Sequence, residues 1–311
     1  MKHDPYLKDH RYSVFDIETT GLMPSKDMII SASFCDPKTG KTEQIFTDSP
    51  LLEKNTVSWI LDRLSKLDAV ITYNGRRFDL PFVLYRAKVH RLASALPLFW
   101  SIDLYQWLKA YWPAAGTMES LSQKSVEYAL GLSESRTDPI GGGDCIPLYS
   151  RFLAIGDEKA KDAILLHNGD DVRQLAAICD AINFLPWHRI AFERGFSGLY
   201  GASRAILGPA KLEAGRISRK GKATPGKLPA SFFCDGYALE YASDTGDLTL
   251  SIFPEKNGDL LFADLERYPV DVSSFADLAG FHDGFLVLAE GKEASFRECN
   301  RLSSALVATL F

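Results

Sequence analysis

Cysteine is scarce and scattered in this sequence. Cys35, Cys145, Cys179, Cys234 and Cys299 lie far apart in 311 residues, with no CxxC pair. An odd, dispersed set argues against a disulfide framework or a zinc site and suits a reducing, cytoplasmic setting. No apolar run approaches the roughly 18 residues of a membrane-spanning helix, so no membrane association is expected. The opening MKHDPYLKDHRY carries no apolar core of a secretion signal. Internal repeats and low-complexity tracts are also lacking. So is an excess of positive charge. The 35 Lys/Arg and 40 Asp/Glu leave a net −5, so the chain as a whole does not advertise nucleic acid.

What is present is an ordinary globular composition, 46% apolar and 24% charged, in a chain long enough for two domains. The charge is unevenly placed. Residues 186–227 carry nine Lys/Arg against two Glu, whereas residues 228–311 carry five against fourteen Asp/Glu. That asymmetry points to a local basic surface on an otherwise acidic protein.

Residues 11–17 and 28–35 are apolar, β-branched strand candidates, and 42–47 is a third, with a hairpin signal at Gly40. Val57, Ile60, Leu61, Leu64 and Leu67 recur at helical spacing. Residues 69–73 then form a short buried strand, and a helix runs from Asp79 to about Leu92. A strand at 98–102 leads to Asp103 at a helix cap. Residues 157–184 predict one long amphipathic helix, stopped by Pro186. Three strands followed by strand–helix alternation suit an α/β fold with a mixed sheet flanked by helices. Beyond Pro186 the character changes. Residues 200–230 are basic with no clear period, and 236–265 alternate as strands with turns at Gly246 and Asn257-Gly258. Residues 294–310 read as a helix. The boundaries expected are 1–190 for the first domain and 191–311 for a smaller, β-rich α+β region.

Within the first strand, Asp16 and Glu18 are two residues apart and share one face. Two carboxylates on a buried apolar strand repel each other and resist burial. A divalent cation resolves that conflict, and oxygen-only ligands point to Mg²⁺ or Mn²⁺. A second motif, Tyr73-Asn74-Gly75-Arg76-Arg77-Phe78-Asp79, ends a strand in a glycine turn and delivers Asp79 at a helix start, where Asp is also a favoured cap. A third, His167-Asn168-Gly169-Asp170-Asp171-Val172, puts His167 and Asp171 four apart on one helix face. Gly169 inside that helix costs about 1 kcal/mol against Ala and implies a close approach to the backbone.

Together the three motifs resemble the DEDD, or DnaQ-like, exonuclease superfamily within the ribonuclease H-like fold. The first is similar to its DxExTGL signature. The second resembles the YNGxxFD form of family-B DNA polymerase exonuclease domains, and the third the YNxxDV ending of the YprB-type subfamily. The resemblance covers roughly residues 10–185. It implies that Asp16, Glu18, Asp79 and Asp171 bind two metal ions and that His167 is the general base. The four-residue spacing from His167 to Asp171 is that of the tyrosine-bearing branch of the superfamily, so this chain mixes two patterns. An imidazole titrates near neutral pH, as such a base requires.

The activity implied is a two-metal nuclease, 3′→5′ on single-stranded DNA or RNA ends. Asn74, Arg76 and Arg77 are expected near the substrate, and Asn168 near the substrate or the ligands. The segment from Arg204 to Lys227, with Arg216, Arg219, Lys220 and Lys222, is expected either to track the phosphate backbone or to be a solvated linker. Two other classes stand beside the enzyme: a nucleic-acid-binding module with little or no turnover, and a scaffold whose acidic C-terminal region recruits a protein partner. Asp103 reads as a cap. Gly141-Gly142-Gly143-Asp144 lacks the Gly-Lys-Ser/Thr of a phosphate loop and reads as a flexible loop.

Overall fold

The computed structural model describes residues 4–224 and 230–311. The chain divides into two compact units, Met1–Leu185 and Pro186–Phe311.

The first unit opens with β1 (Tyr12–Thr19), β2 (Ile29–Cys35) and β3 (Thr42–Phe46), an antiparallel meander turning at Gly40. Next come α1 (Glu53–Ser65), β4 (Ala69–Thr72), α2 (Asp79–Val89), β5 (Trp100–Asp103) and α3 (Leu104–Tyr111). Three further helices complete it: α4 (Gln123–Ala129), α5 (Cys145–Ile155) and α6 (Glu158–Ala181). The sheet order is β3-β2-β1-β4-β5, with β4 parallel to β1 and β5 parallel to β4. This is the expected mixed sheet flanked by helices.

β1 lies at the centre of that sheet and is covered on both faces. Asp16 alone among its residues is partly exposed, which explains why it reads as an almost unbroken apolar run. Phe15 and Ile17 pack with Val57, Ile60 and Leu64 of α1 and Phe82 and Val83 of α2. Alternation sends Asp16 and Glu18 to the opposite face. There α6 crosses β1, β2 and β3. Tyr149 and Phe152 of α5 pack with Ile164 of α6 and Ile30 of β2.

The second unit starts with α7 (Trp187–Arg194), β6 (Phe196–Tyr200), β7 (Ser203–Leu207), β8 (Lys211–Glu213) and β9 (Arg216–Ala223). It continues with β10 (Ala230–Phe233), β11 (Tyr237–Ala242) and β12 (Asp247–Ile252). These strands form one sheet in the order β10-β11-β12-β9-β7-β6, with β8 also paired to β9. A smaller sheet holds β13 (Glu255–Asn257), β14 (Leu260–Asp264), β15 (Phe281–His282), β16 (Phe285–Glu290) and β17 (Glu293–Ala294), and α8 (Phe296–Ala308) packs on α7 and β16. Gly246 and Gly258 turn their hairpins at φ 72° and 58°, a conformation that favours glycine.

The basic stretch is therefore not a linker over Ser203–Ala223. It forms β7, β8 and β9, and its period is hidden because an arginine occupies an inward position of β9. Lys227 lies outside the described residues. No helix among the described residues is long and apolar enough to cross a membrane.

Candidate active site

β1 brings Asp16 and Glu18 to one face opposite Ser33 and Ser31 of β2. Both serine hydroxyls donate to Asn168 Oδ1 of α6, at 2.6 and 3.1 Å. That fixes the orientation of the amide, and Asn168 Nδ2 donates to Asp16 Oδ2 at 2.8 Å. Asn168 thus steadies a candidate ligand. The close approach expected at Gly169 is made by Gln44, whose amide donates to Ser33 Oγ at 2.9 Å and to the Leu165 carbonyl of α6 at 2.8 Å. A Cβ on Gly169 would lie 3.1 Å from Arg173 Nη1 and 3.2 Å from that Gln44 nitrogen.

Asp79 arrives from the other side of β1. Pairing of β1 with β4 ends at Val14 and Ile71. The Ile17 N–H beyond that point donates instead to Asp79 Oδ1 at 3.2 Å. Asp79 is the first residue of α2 and not its cap, which is Phe78. Its turn is held by Asp103, which accepts from the Asn74 and Arg76 backbone N–H groups at 3.0 and 3.3 Å and also caps α3. Asn74 has φ 63°, a region asparagine tolerates better than most residues. Gly75 is required, because a Cβ there would lie 2.5 Å from the Thr72 side chain.

α6 supplies the rest. His167 Nε2 lies 3.5 Å from Glu18 Oε1 and 3.5 Å from Asp171 Oδ2. Ligand oxygens of Asp16, Glu18 and Asp171 fall within 4.8 Å of one another. Asp16, Glu18, Asp79, His167, Asp171 and Asn74 line one cleft of about 360 Å³, and Tyr73, Gln123 and Lys124 border it. Arg76 and Arg77 stand exposed on the turn beside Asn74.

The electrostatics match the crowding. Burial, then the charges of Asp79, Asp171 and Glu18, raise the Asp16 pKa well above the ordinary carboxylate range. Burial and the Asp171 charge push Glu18 to about 8, against a donated hydrogen bond from the Cys145 thiol. Asp79 is pushed to about 7, chiefly by burial. Asp171 is raised by burial and held back by His167 and Arg136. A buried oxygen cluster that resists its own ionisation is a fit receptor for a hard divalent cation.

Sequence reasoning missed Asp138. Its Oδ2 lies 2.7 Å from His167 Nδ1, and its side chain is fully buried. That contact holds the ring so that Nε2 faces the carboxylates. Asp138 is in turn held by Arg136, which reaches Asp138, Glu127 and Asp171 at 2.6–2.7 Å. Asp170, beside the candidate ligand Asp171, is buried. Its Oδ2 accepts from Thr137 N, Thr137 Oγ1 and Asp138 N at 2.7–2.8 Å, pinning the loop that carries Asp138. Burial opposes its ionisation, but Arg173 and these donors prevail and bring its pKa down to about 2. No local pattern marks Asp138, since its partner lies 29 residues away.

In the second unit, β9 splits the basic residues between its faces. Arg216 and Lys220 are exposed, and Lys222 pairs with Asp247 at 2.8 Å. Arg219 corrects the surface expectation: only 2% of it is exposed. Its guanidinium donates to the Gly208 carbonyl at 2.9 Å and to Asn300, between the rings of Phe192 and Phe196. Alternation along the strand turned it inward, and the two phenylalanines stack on it.

A family description, the RNase_H superfamily, matches residues 13–183, more than half of the chain. A DNA polymerase of Methanocaldococcus jannaschii is 35% identical over 86 residues, which are 24% of this chain and 5% of that one. Among solved structures, the family B DNA polymerase of Pyrobaculum calidifontis superposes with a TM-score of 0.45 at 16% identity, covering 55% of this chain and 24% of the polymerase. Brucella melitensis NrnC gives 0.36 at 16% identity, covering 57% and 76%. The chain therefore spans a small part of either polymerase.

Proposed function

This chain belongs to the RNase_H superfamily, and from that premise we propose that it is a metal-dependent nuclease of the DEDD, YprB-like kind. The observation that carries this reading is the placement of His167. Its Nδ1 is engaged by Asp138 at 2.7 Å, and its Nε2 faces Glu18 and Asp171 at 3.5 Å.

Asp16, Glu18, Asp79 and Asp171 would hold two Mg²⁺ or Mn²⁺ ions. When bound, such ions polarise a scissile phosphate and steady charge on its attacking and departing oxygens. His167 Nε2 takes the proton of the attacking water, and Asp138 holds the imidazolium that results. Asn168 keeps Asp16 oriented, and Asp103 keeps the Asn74 turn open at the mouth of the cleft. The cleft's 360 Å³ lies at the small end of ligand sites and suits one unpaired nucleotide better than a duplex. The 3′→5′ polarity rests on the sequence resemblance. Arg76 and Arg77 are proposed to meet the incoming strand beside Asn74. Arg216, Lys220 and Lys222 are proposed phosphate contacts on the second unit, and the acidic remainder of that unit a protein contact.

Oligonucleotides of matched DNA and RNA sequence, labelled at either end, test the reading with Mn²⁺ and with EDTA. The expected result is a ladder shortening from the 3′ end, abolished by EDTA and by Asp16→Ala. A folded protein that binds Mn²⁺ and oligonucleotide yet cleaves neither would establish the binding-module reading instead.

A further inference from the structure

Cys145 takes no part in the chemistry above, yet it sits against it. It is the first residue of α5 and is fully buried. One donor atom each from Cys145, Glu18 and His167 lie within 4.8 Å of one another. The His167 Nε2 to Glu18 Oε1 separation is 3.5 Å. Metal bonds of about 2.0–2.3 Å at tetrahedral angles set donors roughly 3.3–3.8 Å apart. Gly142 borders them: a Cβ there would be in van der Waals contact with Glu18 Oε2 at 3.8 Å and His167 Nε2 at 3.9 Å.

The other nitrogen of His167 is engaged as a metal ligand's would be. An imidazole that ligates a metal through one nitrogen nearly always engages a carboxylate, carbonyl or water through the other. His167 does so through Asp138, at 2.7 Å and fully buried. The donor set is sulfur, nitrogen and one oxygen. Hard Mg²⁺ and Mn²⁺ disfavour it, and Zn²⁺ prefers it.

We propose that Cys145, His167 and Glu18 form a Zn²⁺ site that is mutually exclusive with the hard-metal pair, so that zinc silences the enzyme. A Zn²⁺ ion held by Glu18 beside Asp16 and Asp171 repels a second dication there and draws a ligand away from the hard-metal pair. A zinc-bound Nε2 has no lone pair left to accept a proton. Coordination replaces the thiol proton, which leaves to the buffer, and the fourth position falls to water or to Asp171, whose Oδ2 is 3.5 Å from Nε2. The dispersed cysteines concealed this site because its three donors come from β1, α5 and α6. The silencing rests on the nuclease reading, but the binding does not.

The test uses the full chain, reduced and stripped with EDTA, titrated with Co²⁺. The expected result is a thiolate-to-cobalt charge-transfer band at one equivalent, displaced by stoichiometric Zn²⁺. The band should vanish in Cys145→Ser and persist in Cys234→Ser, which removes the exposed cysteine. Asp138→Asn leaves the thiol untouched and should weaken zinc binding by about 10–100-fold. Under saturating Mn²⁺, Cys145→Ser should raise the half-inhibitory zinc concentration by at least about tenfold, since a direct ligand matters more than its support. Co²⁺ bound without a thiolate band, or with the same band in Cys145→Ser, overturns the site. The band is read without substrate, so a protein lacking nuclease activity still reports it. A missing band beside full Mn²⁺-dependent cleavage defeats the zinc site alone.

Discussion

Glu18→Gln should make the metal-free protein more stable in mild base while weakening its response to metal. Glu18 has a folded-state pKa of about 8 against an ordinary 4.5. Because the folded value is the higher one, its contribution is whole below about pH 4.5 and is lost as pH rises through 8. At about 1.36 kcal/mol for each tenfold change in proton affinity, that loss is at most about 5 kcal/mol. Asp16, Asp79 and Asp171 share the repulsion and relax when one charge goes, so about 1–3 kcal/mol should be recovered. For a unit of this size that is roughly 2–12 °C in Tm. Gln also keeps an oxygen for the Cys145 thiol. Melts in EDTA at about pH 4 should show the two proteins nearly alike, since Glu18 is then protonated in the fold and largely protonated in the unfolded chain. At pH 8.5 the variant should melt higher. Added Mn²⁺ should raise wild type by about 2.7 kcal/mol at a hundredfold excess over Kd, and the variant far less. A variant no more stable than wild type at pH 8.5 in EDTA would refute the claim that this cluster stores repulsion.

Three further outcomes follow from the contacts. Asp138→Asn keeps the volume behind His167 but lets the ring take its other tautomer, so kcat should fall about 10–100-fold with KM little changed; the ¹⁵N shifts of His167 should report the tautomer change, and equal kcat would remove Asp138 from the mechanism. Arg216→Gln with Lys220→Gln should weaken oligonucleotide binding and reduce the salt slope by about 1–2, whereas Arg219→Gln should lower thermal stability, because that side chain is committed to Gly208 and Asn300 inside the second unit; an unchanged slope in the double variant would move the strand's path to Arg76 and Arg77.

Local sequence determined much of this protein. Alternation in β1 put Asp16 and Glu18 on one face, and four-residue spacing put His167 beside Asp171, because both relations lie within one element. Glycine turns and helical periodicity marked the elements for the same reason. What lay between elements was decided by the fold. Asn168 binds Asp16 across 152 residues, and its amide is oriented by two serines of β2. Asp138 reaches His167 from a loop that Asp170 holds. Cys145 meets Glu18 and His167 only where three elements converge. Arg219 looked like a surface charge because a buried arginine breaks the polar–apolar alternation that makes a strand legible. The chain encodes which carboxylates share a face through bond geometry alone, but what surrounds them depends on which helix crosses which strand, and that is set by packing over the whole core.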